Sequence, residues 1–196
     1  MAEDLRIVKT RKAIREAFLT LRRTQPLERV RVRDICAEAL INKSTFYHHY
    51  TDVFDLSDQL EDMVLDECFE AFPYKDKLFT DPLVFLGNVP AAMDTRKDAI
   101  DILFRGRQDV LYDKIERHLR QFYLTEDTTE EEDILLTFVI GGAMYAMRAL
   151  AAEGPYSRES VTEVSARIIG RLAQREWGAP FGGRRYSLRP ELPYRT

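Results

Sequence analysis

The sequence predicts an all-α protein: a small three-helix head followed by a larger helical body. Three observations carry this. Apolar residues recur at the 3.6-residue period in segment after segment. Pro and Gly fall between those segments, at Pro26, Pro73, Gly106 and Gly154-Pro155, and so punctuate helices. The charge is also divided. Residues 1–50 hold 11 Lys+Arg against 6 Asp+Glu, a balance of +5, and the remainder holds 18 against 27, a balance of −9. The net charge of −4 taken alone argues against a nucleic-acid binder. A basic head on an acidic body argues for a local phosphate-binding face.

The first helix is expected over Leu5–Arg23, with Ile7, Ile14, Ala17, Phe18 and Leu21 on its apolar face. Arg6, Lys9, Lys12, Arg15 and Arg22 occupy the opposite face, and the basic residues at its start could reach phosphate. Pro26 ends it, lacking the N–H and clashing with a preceding carbonyl.

Two short helical patterns then meet across a tight break. Val32, Ile35, Cys36 and Ala39 repeat at helical spacing in the first. Leu40-Ile41-Asn42 is the break, and Asn42 suits an N-cap. The second pattern starts at Lys43 and buries Phe46 and Tyr50, leaving Lys43, Ser44, Thr45, Tyr47 and His48 on the other side. Such a pair describes a helix-turn-helix. Arg31 and Arg33 stand at the start of its first helix, where backbone N–H groups favour an anion. They either contact phosphate or only solvate the helix start and pair with Glu28 or Asp34.

The run Ile41-Asn42-Lys43-Ser44-Thr45-Phe46-Tyr47-His48-His49-Tyr50, continued by Asp52 and Leu56, resembles the DNA-binding segment of the tetracycline-repressor (TetR) family of bacterial regulators. The resemblance covers residues 6–60; beyond them only length and helical layout agree. It implies that Lys43, Ser44, Thr45, Tyr47, His48 and His49 face the major groove. Ser44 and Thr45 can touch base edges or phosphate, Lys43 a guanine edge or a phosphate, and Tyr47 and His48 phosphates. Two positions depart from the family. Leu40 stands where glycine is usual; at positive φ it would cost about 1 kcal/mol. Val53 stands where a phosphate-contacting lysine is usual, which predicts weaker nonspecific binding.

The body is read from pattern. A helix capped by Thr51-Asp52 and ending near Phe72 carries Phe54, Leu56, Leu60, Met63, Val64, Leu65 and Cys68, enough to touch the cores of both head and body. Asp81-Pro82 opens a helix that Pro90 shortens or kinks. Another begins at Thr95–Asp98, and Val110–Leu124 follows after Gly106. Thr129 with Glu132 forms a capping box for a helix over Glu130–Ala152 that is apolar nearly all round and therefore expected to be buried on most sides. Gly141-Gly142, Ala143 and Ala146 on it would admit a close helix. Ser157 caps the last helix, with Val161, Val164, Ile168, Ile169 and Leu172 in one stripe. These two helices resemble the family's dimerisation pair, which implies a four-helix bundle between two copies.

The expected organisation is thus a helix-turn-helix head over 1–51, a helical regulatory and dimerisation body over 52–177, and a loosely ordered tail over 178–196 rich in Pro, Gly and Arg. The resemblance implies a homodimeric regulator, a repressor, that reads a palindromic operator in double-stranded DNA and is released by a small-molecule effector. Candidate effector-pocket residues are Phe69, Phe72, Met93, Phe104, Phe122, Phe138 and Tyr145. A competing expectation is a coactivator on the same fold that contacts another protein, favoured by Leu40 and Val53. Catalysis is not expected: there is no Gly-rich phosphate loop, no nucleophile–His–acid arrangement and no metal cluster. No cofactor or metal is expected either. Cys36 and Cys68 read as buried thiols rather than a disulfide framework. The longest uncharged run, Ile134–Met147, is 14 residues, short for a bilayer span. With no charged-then-apolar leader, a soluble cytoplasmic protein is expected.

Overall fold

The structure is a computed structural model that describes residues 5–152 and 154–175. The tail expected over 178–196 lies outside the described residues. Among the described residues every regular element is helical, with no strand. In chain order the helices are α1 (Leu5–Thr24), α2 (Val32–Glu38), α3 (Lys43–His49), α4 (Val53–Glu70), α5 (Pro82–Asp94), α6 (Lys97–Leu103), α7 (Gln108–Tyr123), α8 (Glu130–Ala146) and α9 (Arg158–Arg175). A 3₁₀ turn at Leu27–Arg29 precedes α2, and a π-helical turn at Met147–Ala152 extends α8.

The chain divides into two compact units. The first comprises residues up to Cys68 together with Met93–Leu111. Here α1 packs on α2 and α6, and α2 on α3. Ile14, Ala17, Phe18, Ile35, Cys36, Phe46, Tyr50, Leu56 and Leu60 are buried, as are Ile100, Ile102, Leu103 and Phe104 of the α6 segment. The break before α3 turns at Leu40, whose φ of 53° is left-handed. The leucine side chain is 92% exposed, so no packing compensates its strain of about 1 kcal/mol. Asp52 caps α4 by accepting from the Asp55 N–H at 2.8 Å, and Asp55 reaches back to the Thr51 N–H at 2.7 Å.

Two expectations fail in this unit. Phe54 is exposed, because the buried stripe of α4 runs Val53, Leu56, Leu60, Val64 and Phe54 falls one position off it. Arg22, placed by its pattern on the polar face of α1, is only 2% exposed. Its Nη1 and Nη2 donate to backbone carbonyls inside the unit, which offsets part of the penalty of burying a charge, while the buried Nε has no hydrogen-bond partner among the described residues.

The second unit comprises Phe69–Ala92 and the described residues from Tyr112 onward. Its core gathers Phe72, Leu78, Phe79, Phe85, Leu119, Phe122, Tyr123, Leu135, Leu136, Val139, Ile140, Ile169 and Ala173. Tyr123 is fully buried, and its hydroxyl is satisfied twice: it donates to the Lys75 carbonyl at 2.6 Å and accepts from the Leu78 N–H at 3.1 Å. Rings of Phe79 and Phe122 stand edge-on to it at 5.6 and 5.1 Å. Pro90 does not stop α5, which runs through it to Asp94. The capping box of Thr129 and Glu132 forms, its two backbone bonds at 3.2 and 2.9 Å.

Helix α8 is not buried on most sides. Leu135, Leu136, Val139 and Ile140 enter the core, whereas Ile134, Phe138 and Tyr145 are 60%, 73% and 64% exposed. Gly141 and Gly142 on the open side meet nothing within 4 Å of an added Cβ. In α9 the expected stripe holds in part, with Val161 and Ile169 buried and Leu172 packed against the core. Thr162, Ala166, Ile169 and Ala173 turn inward, while Val164 and Ile168 are exposed. Gly154 joins the two helices where only glycine fits: a Cβ would lie 2.7 Å from the carbonyl oxygens of Ala149 and Leu150. Ser157 accepts from the Ser160 N–H at 3.1 Å, capping α9. Counted through the π-helical turn, Glu130–Leu150 is long and apolar enough to cross a membrane by length and composition, beyond what its uncharged run alone predicted.

Candidate nucleic-acid interface

The geometry of α3 is set by Asn42. Its backbone is extended (φ −87°, ψ 164°), so its side chain folds back over the first turn. Asn42 Oδ1 accepts three bonds: from the Thr45 N–H at 2.7 Å, the Thr45 hydroxyl at 2.9 Å and the Ser44 hydroxyl at 2.7 Å. Both hydroxyls thereby donate to Asn42, which leaves their oxygens able to accept.

Phe46 anchors the helix from behind. It is fully buried and meets Tyr47 edge-on at 5.5 Å and Tyr50 at 5.8 Å. The buried Tyr50 hydroxyl accepts from Arg15 Nε at 3.3 Å, and Arg15 also reaches Met63 Sδ at 3.0 Å. Arg15 therefore ties α1 to the end of α3 and to α4, a role its place on a basic stripe did not reveal.

With Phe46 and Tyr50 inward, Lys43, Ser44, Tyr47 and His48 are exposed and Thr45 and His49 half-exposed. A surface depression brings Ser44, Thr45, His48 and His49 together with Arg6, Ile7 and Thr10 of α1. An adjoining depression adds Leu5, Lys9, Ala13, Ala39 and Ile41. The start of α1 and the outer side of α3 thus form one basic and hydroxyl-bearing surface. Arg31 is exposed at the start of α2. Arg33 is exposed too and sits 3.2 Å from Asp34, a solvent-exposed pair worth a few tenths of a kcal/mol that an incoming phosphate can displace.

The seven effector-pocket candidates are scattered. Met93 is half-buried and Phe104 buried in the first unit. Phe72 and Phe122 belong to the core of the second, with Phe69 packed against it. Phe138 and Tyr145 stand on the outer side of α8 and do not line an interior pocket. Their helix spacing looked like core because the sequence does not distinguish a buried apolar side from an uncovered one. Phe138 lines a shallow depression with Arg120, Asp133, Ile134, Thr137, Gly141 and Gly142.

Among the described residues no three His, Cys, Asp or Glu side chains are placed to hold a metal ion. Burial pushes both thiols, Cys36 and Cys68, above the ordinary cysteine value, which disfavours the reactive thiolate. No protein-family model, curated protein or solved structure matches the chain.

Proposed function

We propose that this chain is a DNA-binding transcriptional regulator of the tetracycline-repressor kind. In this reading it is a repressor that binds a palindromic operator as a homodimer and is released by a small molecule. The observation that carries the reading is the surface of α3: an aromatic side buried through Phe46 and Tyr50, and an outer side made only of Lys, Ser, Thr, Tyr and His beside Arg6 and Lys9 of α1. Helix α3 enters the major groove. Lys43, Tyr47 and His48 hold phosphates, joined by Arg31 and Arg33 from α2. Because Ser44 and Thr45 give their protons to Asn42, they accept from base amino groups, the N6 of adenine or N4 of cytosine.

The exposed apolar side of α8 with Val164 and Ile168 of α9 supports dimerisation: two copies cover these surfaces in a four-helix bundle. An effector acts by binding the form that cannot engage DNA more tightly than the form that can. The coactivator alternative is favoured by Leu40, a fully presented leucine held at positive φ, and by Val53, a buried valine where a phosphate anchor is usual.

Duplex-DNA affinity measured against salt, for the natural chain and for Lys43→Ala, tests the interface. The natural chain should bind with a steep inverse salt dependence, and Lys43→Ala should reduce the slope of log K against log[salt] by about 0.9. Equal slopes would remove Lys43 from the interface; no binding at low salt would remove the interface itself.

A further inference from the structure

The segment Met93–Leu111 follows the first 68 residues only after an intervening stretch, yet it clusters with them in one unit. The helix that lies wholly within it, α6, has seven residues, too few to hold its shape alone in water. Beside the burial of Ile100, Ile102, Leu103 and Phe104, a set of polar ties fixes it, four of them from arginines.

Arg22 of α1 donates through Nη2 to the carbonyls of Ile102 and Leu103, at 3.1 and 3.2 Å, and through Nη1 to Gln25 at 2.7 Å. Ile102 and Leu103 are the last residues of α6, where carbonyls have no partner within the helix and a cation is favoured. Arg105 donates to the Arg23 carbonyl at 3.0 Å. Arg107 meets Glu61 of α4 at 2.7 Å, and the same oxygen of this fully buried carboxylate accepts from Ser57 at 2.7 Å. At the start of the segment, Arg96 pairs with Glu67 at 2.6 Å, and the Cys68 sulfur lies 3.7 Å from the Thr95 hydroxyl.

The ties of Arg107, Arg96 and Thr95 hold the segment to α4, and those of Arg22 and Arg105 meet at one end of α1. The other end of the same helix supplies Arg6, Ile7 and Thr10 to the depression beside Ser44, Thr45, His48 and His49. Thr10 and Arg22 are twelve residues apart, about 18 Å along a continuous helix. Between them Arg15 joins α1 to Tyr50 and Met63. A shift of α1 at Arg22 is therefore a shift at the surface of α3.

We propose that Met93–Leu111 is a working part of the DNA-reading unit: Arg22, Arg105 and Arg107 lock α6 onto α1 and α4, and through α1 they position the surface that meets DNA. The three are positioning residues, since none lies in that surface. The inference rests on the DNA-binding reading and extends it to residues remote from the interface. It requires no effector.

The test uses the full chain. Backbone hydrogen exchange is followed by mass spectrometry, and affinity for a mixed-sequence duplex is measured at several salt concentrations, for the natural chain, Arg22→Met, Arg22→Lys and Arg105→Met. Arg22→Met should speed exchange in both α6 and the start of α1, and weaken DNA binding about tenfold, the equivalent of losing its charged hydrogen bonds. Its salt slope should stay that of the natural chain, because no phosphate contact is lost. Arg22→Lys, which keeps the charge and part of the bonding, should recover part of the affinity. If Arg22→Met does not fold, Arg105→Met decides: its tie is at the surface, and it should speed exchange in α6 and weaken binding about threefold. Faster exchange in α6 with unchanged affinity would overturn the inference, as would a reduced salt slope for Arg22→Met. Failure of the natural chain to bind DNA at all would instead overturn the DNA-binding reading.

Discussion

Helices α3 and α8 both present side chains that a single chain leaves uncovered, but of opposite kinds. Helix α3 puts its aromatic anchor inside and shows Lys43, Ser44, Thr45, Tyr47 and His48. Helix α8 anchors four aliphatic residues and shows Ile134, Phe138 and Tyr145 beside two glycines. The two surfaces call for different partners. Donors, cations and hydroxyls in an ordered array match a polyanion whose phosphates and base edges are themselves ordered. A contiguous apolar surface gains by exclusion of water and is satisfied by another apolar surface. A DNA-reading dimer needs one of each.

The largest expected effect breaks the apolar side. Phe138→Asp places a charge where two copies of α8 would meet. Sedimentation should show the dimer weakened by at least about 2 kcal/mol, roughly thirtyfold in dissociation constant. Helix content should not change, because the side chain is already in water within each chain. An oligomeric state equal to that of the natural chain would leave α8 to some other occupant, a lipid surface included, given the length and composition of Glu130–Leu150.

A smaller effect sharpens the polar side. Leu40→Gly relieves the left-handed backbone at φ 53° and should stabilise the chain by up to about 1 kcal/mol, read from urea unfolding. The comparison with DNA affinity is informative. If Leu40 has no role in binding, stability rises and duplex affinity is unchanged. If capture of a protein partner falls instead, the coactivator reading gains.

The smallest effect concerns the start of α4. Burial pushes the Asp55 carboxyl up, but hydrogen bonds from the Thr51 N–H and from Gln59 outweigh it and leave Asp55 below its ordinary value of 3.8. A carboxyl depressed in the folded state contributes stability that is fully present above pH 3.8 and is lost as the pH falls through the folded value. Asp55→Asn should therefore cost about 0.5 kcal/mol at neutral pH. The difference from the natural chain should vanish in thermal unfolding once the pH has fallen through the folded value of Asp55. A difference independent of pH would mean that Asp55 acts through packing rather than charge.

The two helices also differ in how far they could be read from sequence. The local features of α3 were legible because each depends on residues within one turn: Asn42 before Thr45, and Phe46 and Tyr50 one turn apart. The same holds for Thr129 with Glu132. Periodicity identified α8 as a helix, but not which of its apolar residues would be covered, since that depends on what packs against it. In α9 Val161 and Ile169 of the expected stripe turn inward, but Val164 and Ile168 are left outside. Arg22 is the clearest case. Nothing adjacent marks it as buried, because the α6 carbonyls that accept from it are 80 and 81 residues away. The aromatic residues chosen as an effector pocket shared only a residue type, and the fold distributes them between core and surface.

The most direct test of the account is selection of bound sequences from random duplex DNA with the purified full chain at two salt concentrations. The account predicts enrichment of a palindrome whose half-sites are separated by about one or more helical turns, with adenine or cytosine amino groups at the positions Ser44 and Thr45 reach. Binding without sequence preference at low salt, lost at the higher, or no binding at either, would contradict it.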